Sequence, residues 1–357
     1  MTHRQIANRR LYQQGLAGTS FKTPVEVVRW LGAVQAQDYL GSLWAIGLRM
    51  RNATEEAIEQ AIADRSIIRT WPMRGTLHFV AATDVRWMLA LLAPRVIAKS
   101  QSRFKQLDLN ARVFSRSRKL FEAALSGGQQ LPRGAMYRIL EAAGIATANS
   151  RGAHILGRLA QDGIICFGQR QGKQQTFVLL SEWALTAKSL RRDEGLAEIA
   201  TRYFTSHGPA TLQDFVWWSG LTMADARAGL EMASSHLTRE AIGGRGFWFS
   251  PTLPSARVRQ PNASLLPAYD EFTVAYKDRS AVLDPAQAKR MDSGKGMLAP
   301  TIVVNGRIVG TWKCTIQKRS VVIAPNFFTA PGKAERQASM EAGRRYGSFL
   351  GLPAMLV

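Results

Sequence analysis

Two glutamines separated by a single residue stand out in an otherwise apolar stretch of the chain. The segment LGAVQAQDYLGSLWAIGLRM contains Gln35 and Gln37, and Asp38 follows directly. A glutamine carbonyl can hold a water molecule and present its dipole to a developing positive charge, and the Asp38 carboxylate could serve as a general base. On the residue types alone, a simpler interpretation is that Gln37 caps a helix and Gln35 faces solvent.

The spacing of the two glutamines restricts the backbone that can present them together. Side chains two positions apart on a helix diverge by about 200°, whereas extended or kinked backbone brings them to one side. The stretch TPVEVVRWLGAVQAQ has the pattern of a helix with Thr23 as its N-cap. We therefore expect Gln35 and Gln37 at or just beyond the C-terminus of that helix, and we expect Asp38 to cap the next helix or to orient a glutamine.

Positive charge is the strongest global signal. Lys and Arg number 47 against 26 Asp and Glu, which gives a formal net charge of +21 over 357 residues. Such an excess attracts polyanions and raises their encounter rate, so nucleic acid is the first partner to consider. An anionic membrane is the second, but the basic residues are spread along the chain, and no amphipathic helix or lipidation motif concentrates them.

The cysteines and histidines do not suggest a metal site. Cys166 and Cys314 are far apart and form no CxxC pattern, and the five histidines show no HxxxH or HxxH spacing. We expect no metal, no other cofactor and no disulfide framework. The N-terminus lacks an apolar signal core, and no window approaches the roughly 20 apolar residues of a membrane span. We expect a soluble cytoplasmic protein associated with the nucleoid.

A repeated order of helices and strands predicts tandem winged helices. In the clearest unit, three helical stretches (SRKLFEAALSGG, PRGAMYRILEAAG and SRGAHILGRLAQDG) precede two β-like runs joined by the basic tip RQGK. A winged helix usually meets DNA through its third helix and its wing. The candidate phosphate contacts of this unit are Arg151, Arg158, Arg170 and Lys173. The alternative is that this unit faces inward and serves as a scaffold.

The same order recurs after about 75 residues, and a looser version opens the chain. We predict an α+β fold of four segments: residues 1–112 as an N-terminal winged helix with the glutamine pair and following helices, 113–188 and 189–253 as the second and third winged helices, and 254–357 as a β-rich module closed by a terminal helix. In that module the sequence Asn305-Gly306 indicates a type I′ hairpin. On architecture alone, a DNA-binding regulator that neutralises phosphates is the simplest function.

Four motifs together resemble the winged-helix DNA glycosylases of the AlkZ and YcaQ type. They are VQAQDYLGSLWAIGLR, RTWPMRGTLHFV, LLPAYDEFTVAYKDRS and VNGRIVGTWK, and the similarity covers almost the whole chain in order. The resemblance implies three winged helices that form a C-shaped basic cleft around double-stranded DNA. It also implies excision of N7-alkylated purines and, in some members, of interstrand crosslinks.

The resemblance assigns catalysis to a glutamine, any residue, and then glutamine or aspartate. Gln35-Ala36-Gln37 matches the Gln-x-Gln form, and Asp38 lies outside the signature. An N7-alkylated purine is cationic and leaves readily, so the enzyme needs to add only a positioned water and a dipole that favours the cationic sugar. No lysine is adjacent to the glutamines, so we expect a monofunctional enzyme that leaves an abasic site.

Other basic residues are candidates for contacts near the lesion. In RTWPMRGTLH, Arg69 and Arg74 flank a predicted hairpin and His78 follows on its second strand; they could face phosphates or the minor groove. The alternative is an ordinary wing with solvated arginines and a buried histidine. For the hairpin that family members press into the minor groove, the resemblance gives the turn KRMDSGKGMLAP as the best local counterpart, without a residue-by-residue alignment. Its candidate DNA contacts are Lys289, Arg290 and Lys295.

The densest acidic group lies in AYDEF and YKDR. Its acids are Asp270, Glu271 and Asp278. Paired carboxylates can hydrolyse a glycosidic bond, but the resemblance favours a structural segment, with Tyr269 and Phe272 in the core and the acids paired to Lys277 or Arg279. We also expect the Trp217-Trp218 pair to be buried.

Two functions other than a DNA glycosylase are also compatible with the sequence. A winged-helix DNA-binding protein without catalysis, either a regulator or a damage sensor, would keep the basic surface and lose the chemistry. An RNA-binding or crosslink-sensing protein is the third alternative. A single cleft per chain makes a monomer sufficient for any of these functions.

Overall fold

The computed structural model describes residues 1–18, 21–252, 261–291 and 298–357. The fold is mixed α+β, as predicted. In chain order the helices are α1 (His3–Gln13), α2 (Pro24–Leu31), α3 (Tyr39–Gly47), α4 (Glu55–Ala63), α5 (Val85–Lys99), α6 (Gln101–Gln106), α7 (Ala111–Leu125), α8 (Arg133–Ala142), α9 (Arg151–Gln161), α10 (Leu180–Trp183), α11 (Arg192–Ser206), α12 (Leu212–Ser219), α13 (Met223–Ala233), α14 (Glu271–Val274) and α15 (Lys333–Phe349). Within the described ranges, none of these helices is long and apolar enough to cross a membrane.

The strands are mostly short and antiparallel. In chain order they are β1 (Val34–Gln35), β2 (Ile67–Met73), β3 (Thr76–Ala81), β4 (Leu131–Pro132), β5 (Ile165–Phe167), β6 (Thr176–Leu179), β7 (Thr238–Ile242), β8 (Arg245–Phe249), β9 (Ala263–Leu266), β10 (Thr301–Val304), β11 (Arg307–Ile316), β12 (Val321–Phe327) and β13 (Ala354–Leu356).

These elements group into two compact units. Unit 1 comprises Met1–Ile58, Leu196–Trp218 and Thr222–Val357, and unit 2 comprises Glu59–Gly195 and Ser219–Leu221. The finer division of the chain into four segments stays a prediction.

Unit 2 contains a sheet with the strand order β3-β2-β5-β6-β4. The predicted helices α7, α8 and α9 are present, and so is the β5–β6 hairpin that follows them. Helix α9 turns Ile155, Leu156 and Leu159 inward, and all three are buried. They pack with Phe121 and Phe177 in one apolar cluster. The helical spacing of apolar residues in the sequence thus becomes the core of this unit.

Unit 1 contains a five-stranded sheet that is antiparallel except for one parallel pair at its edge. Its larger sheet has the order β13-β12-β11-β10-β9, and β13 pairs parallel with β12. Asn305 and Gly306 connect β10 to β11 with φ values of +48° and +80°. Positive φ at both central residues is what a type I′ turn requires, so the predicted hairpin is confirmed. The terminal helix α15 is also confirmed and packs on β9 and β13.

Candidate active site

The glutamine pair lies in an extended connection between two helices of unit 1. Helix α2 ends at Leu31, and Gly32 follows with φ +80°. A Cβ at Gly32 would come within 3.3 Å of the Trp218 ring, so glycine suits both the backbone angle and the close approach. The stretch predicted as helix as far as Gln37 therefore stops six residues earlier. The expected extended backbone is confirmed at Gln35, which ends β1.

Burial alternates along the Gln-x-Gln motif. Ala36 is 0% exposed, whereas Gln35 is half-buried and Gln37 is exposed. Successive side chains of extended backbone point to opposite faces, so the Gln35 side chain points away from the buried side of Ala36, and the chain bends at Gln37. The motif thus places a half-buried and an exposed glutamine two residues apart in unit 1.

The amide oxygen of Gln35 is a buried acceptor. Within the described part of the chain, no donor lies in hydrogen-bonding position to Gln35 Oε1. Buried polar atoms normally have a partner, and an exception calls for an explanation. A ligand or a bound water that donates a hydrogen bond would satisfy this oxygen.

Asp38 caps the helix that follows the motif. Its carboxylate accepts a hydrogen bond from Gly41 N at 3.2 Å at the start of α3. A Cβ at Gly41 would collide with the same carboxylate. The predicted capping role of Asp38 is therefore confirmed.

A buried glutamate supports the backbone of the motif. Glu271 Oε1 accepts a hydrogen bond from Gln35 N at 2.9 Å, and its Oε2 accepts one from Trp218 Nε1 at 2.9 Å. His207 Nε2 lies 3.6 Å from the same Oε2. Burial lowers the pKa of His207, an effect that Glu271 opposes. Each carboxylate oxygen thus accepts from a different element of unit 1.

Next to Glu271, a buried ion pair joins three elements. Arg49 donates to Asp270 through two nitrogens, at 2.8 and 2.9 Å, and both side chains are fully buried. The same guanidinium donates to Gln14 O at 2.8 Å and to Gln14 Oε1 at 3.0 Å. Gln14 Nε2 in turn donates to the Tyr276 hydroxyl at 2.9 Å. Such two-pronged pairing with added hydrogen bonds compensates the desolvation of both charges.

The predicted partners of the acidic residues are wrong. Asp270 pairs with Arg49 and Asp278 with Arg245. Lys277 is exposed, and Arg279 Nε donates to Thr273 O at 2.6 Å. Short-range pairing fails because Asp270 at the start of α14 and Asp278 beyond its end each contact a residue far away in the chain.

The structural role of the AYDEF segment is supported, with one correction to its core. Phe272 is 0% exposed, as expected, but Tyr269 is only half-buried and has φ +63°. Of the tryptophan pair, Trp218 is buried and Trp217 is 48% exposed. Trp217 Nε1 donates to Val274 O at 3.0 Å, which holds the exposed ring in place.

The sequence interpretation missed Arg49 and Gln14 and the role of Glu271. A signal was present, because Arg49 ends the apolar run SLWAIGLR, and Asp270 and Glu271 interrupt the apolar run LLPAYDEF. Isolated opposite charges in two stretches that must be buried are expected to pair. Their separation of 221 residues hid the contact.

In unit 2, the predicted hairpin with Arg69, Arg74 and His78 is present, but two of these residues face inward. Arg69 is 5% exposed and donates to Gln175 Oε1 at 3.1 Å. His78 is 0% exposed, with Nδ1 3.0 Å from Thr76 O and Nε2 2.9 Å from an Arg74 nitrogen. Direct contact of Arg69 or His78 with DNA is therefore not supported, because the fold buries both.

Arg74 is placed differently from its neighbours on the hairpin. It is half-buried, sits in the turn between β2 and β3 and has φ +56°. Because His78 Nδ1 lies against a carbonyl oxygen, Nδ1 carries the proton and Nε2 accepts from the Arg74 guanidinium. His78 thus orients Arg74.

Most of the predicted phosphate contacts of the α9 region already have partners within unit 2. Arg151 donates to Ala146 O at 3.1 Å and also to Leu107 O. Arg158 pairs with Asp162 at 2.8 Å and is 23% exposed. Arg170 pairs with Glu59. Lys173, at the tip of the β5–β6 hairpin, is exposed.

The predicted minor-groove turn is only partly described. Lys289 and Arg290 lie in a short 3-10 helix, Pro285–Met291, and both are exposed. Arg290 donates to Phe328 O at 2.8 Å and covers the Phe328 ring at 4.6 Å, so it fastens this helix to the end of β12. Lys295 lies outside the described residues.

No group of three or more histidine, cysteine, aspartate or glutamate side chains suited to a metal ion occurs within the described ranges. Cys166 is buried. Cys314 is exposed and lies 3.7 Å from the Tyr346 hydroxyl.

Comparison with known proteins identifies the family of this chain. The family model of AlkZ-like DNA glycosylases matches residues 28–349. An interstrand DNA cross-link repair glycosylase from Streptomyces sahachiroi is 24% identical, with 96% of each chain covered. The solved structure of the Streptomyces sahachiroi DNA glycosylase AlkZ matches with a TM-score of 0.83 at 23% identity, and 100% of both chains is covered.

The family match spans most of the chain and both units. The protein therefore belongs to the AlkZ-like DNA glycosylase family, as the four motifs suggested, and it is a DNA glycosylase. The structural likeness shows the shared mixed α+β fold.

Proposed function

We propose that this DNA glycosylase hydrolyses the N-glycosidic bond of N7-alkylated purines in double-stranded DNA. The observation that carries the proposal is the Gln-x-Gln motif in the connection between α2 and α3, in which Gln35 offers a buried oxygen with no donor among the described residues. An unsatisfied acceptor in this position suits a water that is to be held and aimed.

The proposed reaction requires little acid catalysis. The bond between C1′ and N9 breaks, its electron pair neutralises the cationic purine, and the sugar passes through an oxocarbenium-like state. Water then attacks C1′ and loses a proton to solvent, which leaves an abasic site. Gln35 and Gln37 would accept hydrogen bonds from this water, and their carbonyl dipoles would stabilise the cationic sugar.

The proposed DNA contacts are the basic side chains that the fold leaves accessible. Lys173 and Lys289 are exposed, and Arg74 is oriented by His78. Lysine at a hairpin tip suits phosphate contacts that carry no sequence information. We propose that the α7–α9 region with β5–β6, and the α11–α13 region with β7–β8, act as winged helices. The first winged helix and the C-shaped cleft stay predictions.

Interstrand crosslinks are a further proposed substrate. The name of the Streptomyces relative gives that activity for the relative, and a crosslinked nucleotide cannot be flipped freely because it is tied to the opposite strand. The placement of Gln37 on an exposed stretch, rather than in a deep pocket, supports this proposal. We further propose a monofunctional enzyme that acts as a monomer at the nucleoid.

A product assay tests the reaction. The protein is incubated with a duplex that contains one N7-methylguanine, the released base is identified by mass spectrometry, and strands are analysed with and without alkali. Free N7-methylguanine and breaks that appear only after alkali are expected. Breaks without alkali, or borohydride trapping of a protein–DNA adduct, would contradict the monofunctional assignment.

Two further substrates separate the alternatives. Release of one strand from a duplex crosslinked through N7 positions is expected if crosslinks are substrates. Tight binding to both duplexes without base release would instead favour the non-catalytic DNA-binding protein.

A further inference from the structure

We propose that Glu271 is the positioning residue of the Gln-x-Gln motif, holding the Gln35 backbone so that its side-chain amide faces the reacting sugar. This inference rests on the proposed catalytic role of the glutamine pair. It goes further by assigning a function to a buried acid 236 residues away from Gln35.

The two oxygens of Glu271 are used for different purposes. Oε1 accepts from Gln35 N at 2.9 Å, and Oε2 accepts from the indole of Trp218 at 2.9 Å. Trp218 is itself fully buried and packs against Gly32 at the end of α2. The carboxylate therefore connects the motif to the rigid interior of unit 1, and a shift of Glu271 would move Gln35.

Stability alone is a poor explanation for an acid at this place. Burial of a carboxylate is unfavourable unless its oxygens are satisfied, and buried ionic groups are often replaceable by apolar ones without loss of stability. Positioning of a reacting group is a better explanation, because a displacement of about 1 Å can lower the reaction rate 100-fold. Few side chains other than a carboxylate accept from two diverging donors at once.

Glutamine in place of Glu271 exposes this requirement. The amide has the same shape but only one acceptor, so its NH2 group must face either Gln35 N–H or Trp218 Nε1–H. The NH2 group then faces one of these two N–H donors, and either the motif or the substituted side chain must shift. Removal of the indole donor by Trp218→Phe should relieve the conflict, since the carbonyl oxygen of the substituted amide can then face Gln35 N–H.

His207 can further stabilise the substituted amide in the Glu271→Gln, Trp218→Phe double variant. Ser206 Oγ donates to Arg202 O at 2.7 Å, so it accepts from His207 Nδ1 at 2.8 Å. The lone pair of neutral His207 then lies on Nε2, next to the position of Glu271 Oε2. In the double variant, this nitrogen can accept from the new amide.

The test measures single-turnover release of N7-methylguanine from a duplex at saturating enzyme, together with duplex affinity and thermal unfolding. Glu271→Gln is expected to lower the rate by about 10- to 100-fold with unchanged affinity for DNA. Trp218→Phe alone should have a smaller effect. The double variant should be faster than Glu271→Gln despite its larger loss of core packing.

A matched control is available in Asp214, which is also buried and accepts from backbone nitrogens of Lys277 and Asp278 at 2.9 and 3.2 Å. Asp214→Asn should lower the unfolding temperature and leave the single-turnover rate of the folded enzyme unchanged.

Three outcomes would overturn the inference. A wild-type rate in Glu271→Gln would show that Glu271 does not position the motif. A double variant no faster than Glu271→Gln would indicate that only the negative charge or the stability matters, because both variants lack the carboxylate. An equal rate loss in Asp214→Asn would indicate general destabilisation. If Gln35→Ala and Gln37→Ala are fully active, the proposed catalytic role of the glutamine pair fails, and if the wild type releases no base, the proposed reaction fails; both results are distinguishable from the other three.

Discussion

The buried ion pair next to Glu271 in unit 1 and the paired arginines of unit 2 use charge in different ways. In unit 1, Arg49 and Asp270 neutralise each other with no exposure to water, and the pair braces the segment that carries Glu271. In unit 2, Arg158 and Arg170 lie near the surface and pair with acids there. The buried pair holds the segment of Glu271 in place. The pairs in unit 2 neutralise arginines that the sequence analysis had assigned to DNA phosphates.

This difference teaches that net charge identifies a partner better than it identifies contacts. The excess of +21 agrees with a DNA-binding enzyme, yet several arginines chosen from motif position make contacts within their own unit. The exposed lysines at turns are better candidates, because their ammonium groups extend into solvent.

The largest expected effect separates the buried ion pair from an exposed one. Asp270→Asn leaves the buried Arg49 charge uncompensated, so the free energy of unfolding should fall by about 3–5 kcal/mol. Asp278→Asn removes the partner of Arg245, whose side chain is 51% exposed, and should cost at most about 1 kcal/mol. Urea unfolding of both variants checks the contrast, and equal losses would contradict it.

A smaller effect concerns pH. Burial lowers the pKa of His207 from its ordinary value of 6.5, so the unfolded chain binds the proton more readily. The resulting stability is present above pH 6.5 and is lost as pH falls through the lower folded-state pKa. Between about pH 7.5 and pH 5, His207→Gln should therefore lose less stability than the wild type. Exposed His236→Gln is the control and should follow the wild type.

The smallest effect concerns DNA affinity and tests which basic residues reach phosphates. Lys173→Ala should reduce the slope of log affinity against log salt by about 0.9, as expected for one lost phosphate contact. Arg158→Ala should leave that slope unchanged, because Arg158 is paired with Asp162. Fluorescence anisotropy over a salt series measures both slopes. A lower slope for Arg158→Ala with an unchanged slope for Lys173→Ala would indicate that α9 contacts DNA directly.

Local features of the fold could be read from the sequence. The Asn305-Gly306 turn, the inward face of α9 and the capping role of Asp38 each depend on a few adjacent residues. Their geometry follows from backbone preferences and helical spacing.

Features that depend on distant contacts could not be predicted in this way. The end of α2 at Leu31 depends on Gly32 packed against Trp218, and the partners of Asp270 and Glu271 come from segments far away in the chain. The inward orientation of Arg69 and His78 likewise depends on how the hairpin is packed in unit 2. The candidate catalytic glutamines could be named from the sequence, but the residues that hold them could be found only in the fold.

One measurement tests the central claim most directly: single-turnover base release from an N7-methylguanine duplex by Gln35→Ala, Gln37→Ala and Asp38→Asn. Each glutamine variant should lose about 100-fold or more in rate while still binding the duplex. Asp38→Asn keeps an N-capping side chain but removes the only carboxylate adjacent to the motif in sequence, and it should remain close to wild type. Loss of activity in Asp38→Asn with active glutamine variants would contradict the account and make Asp38 the general base.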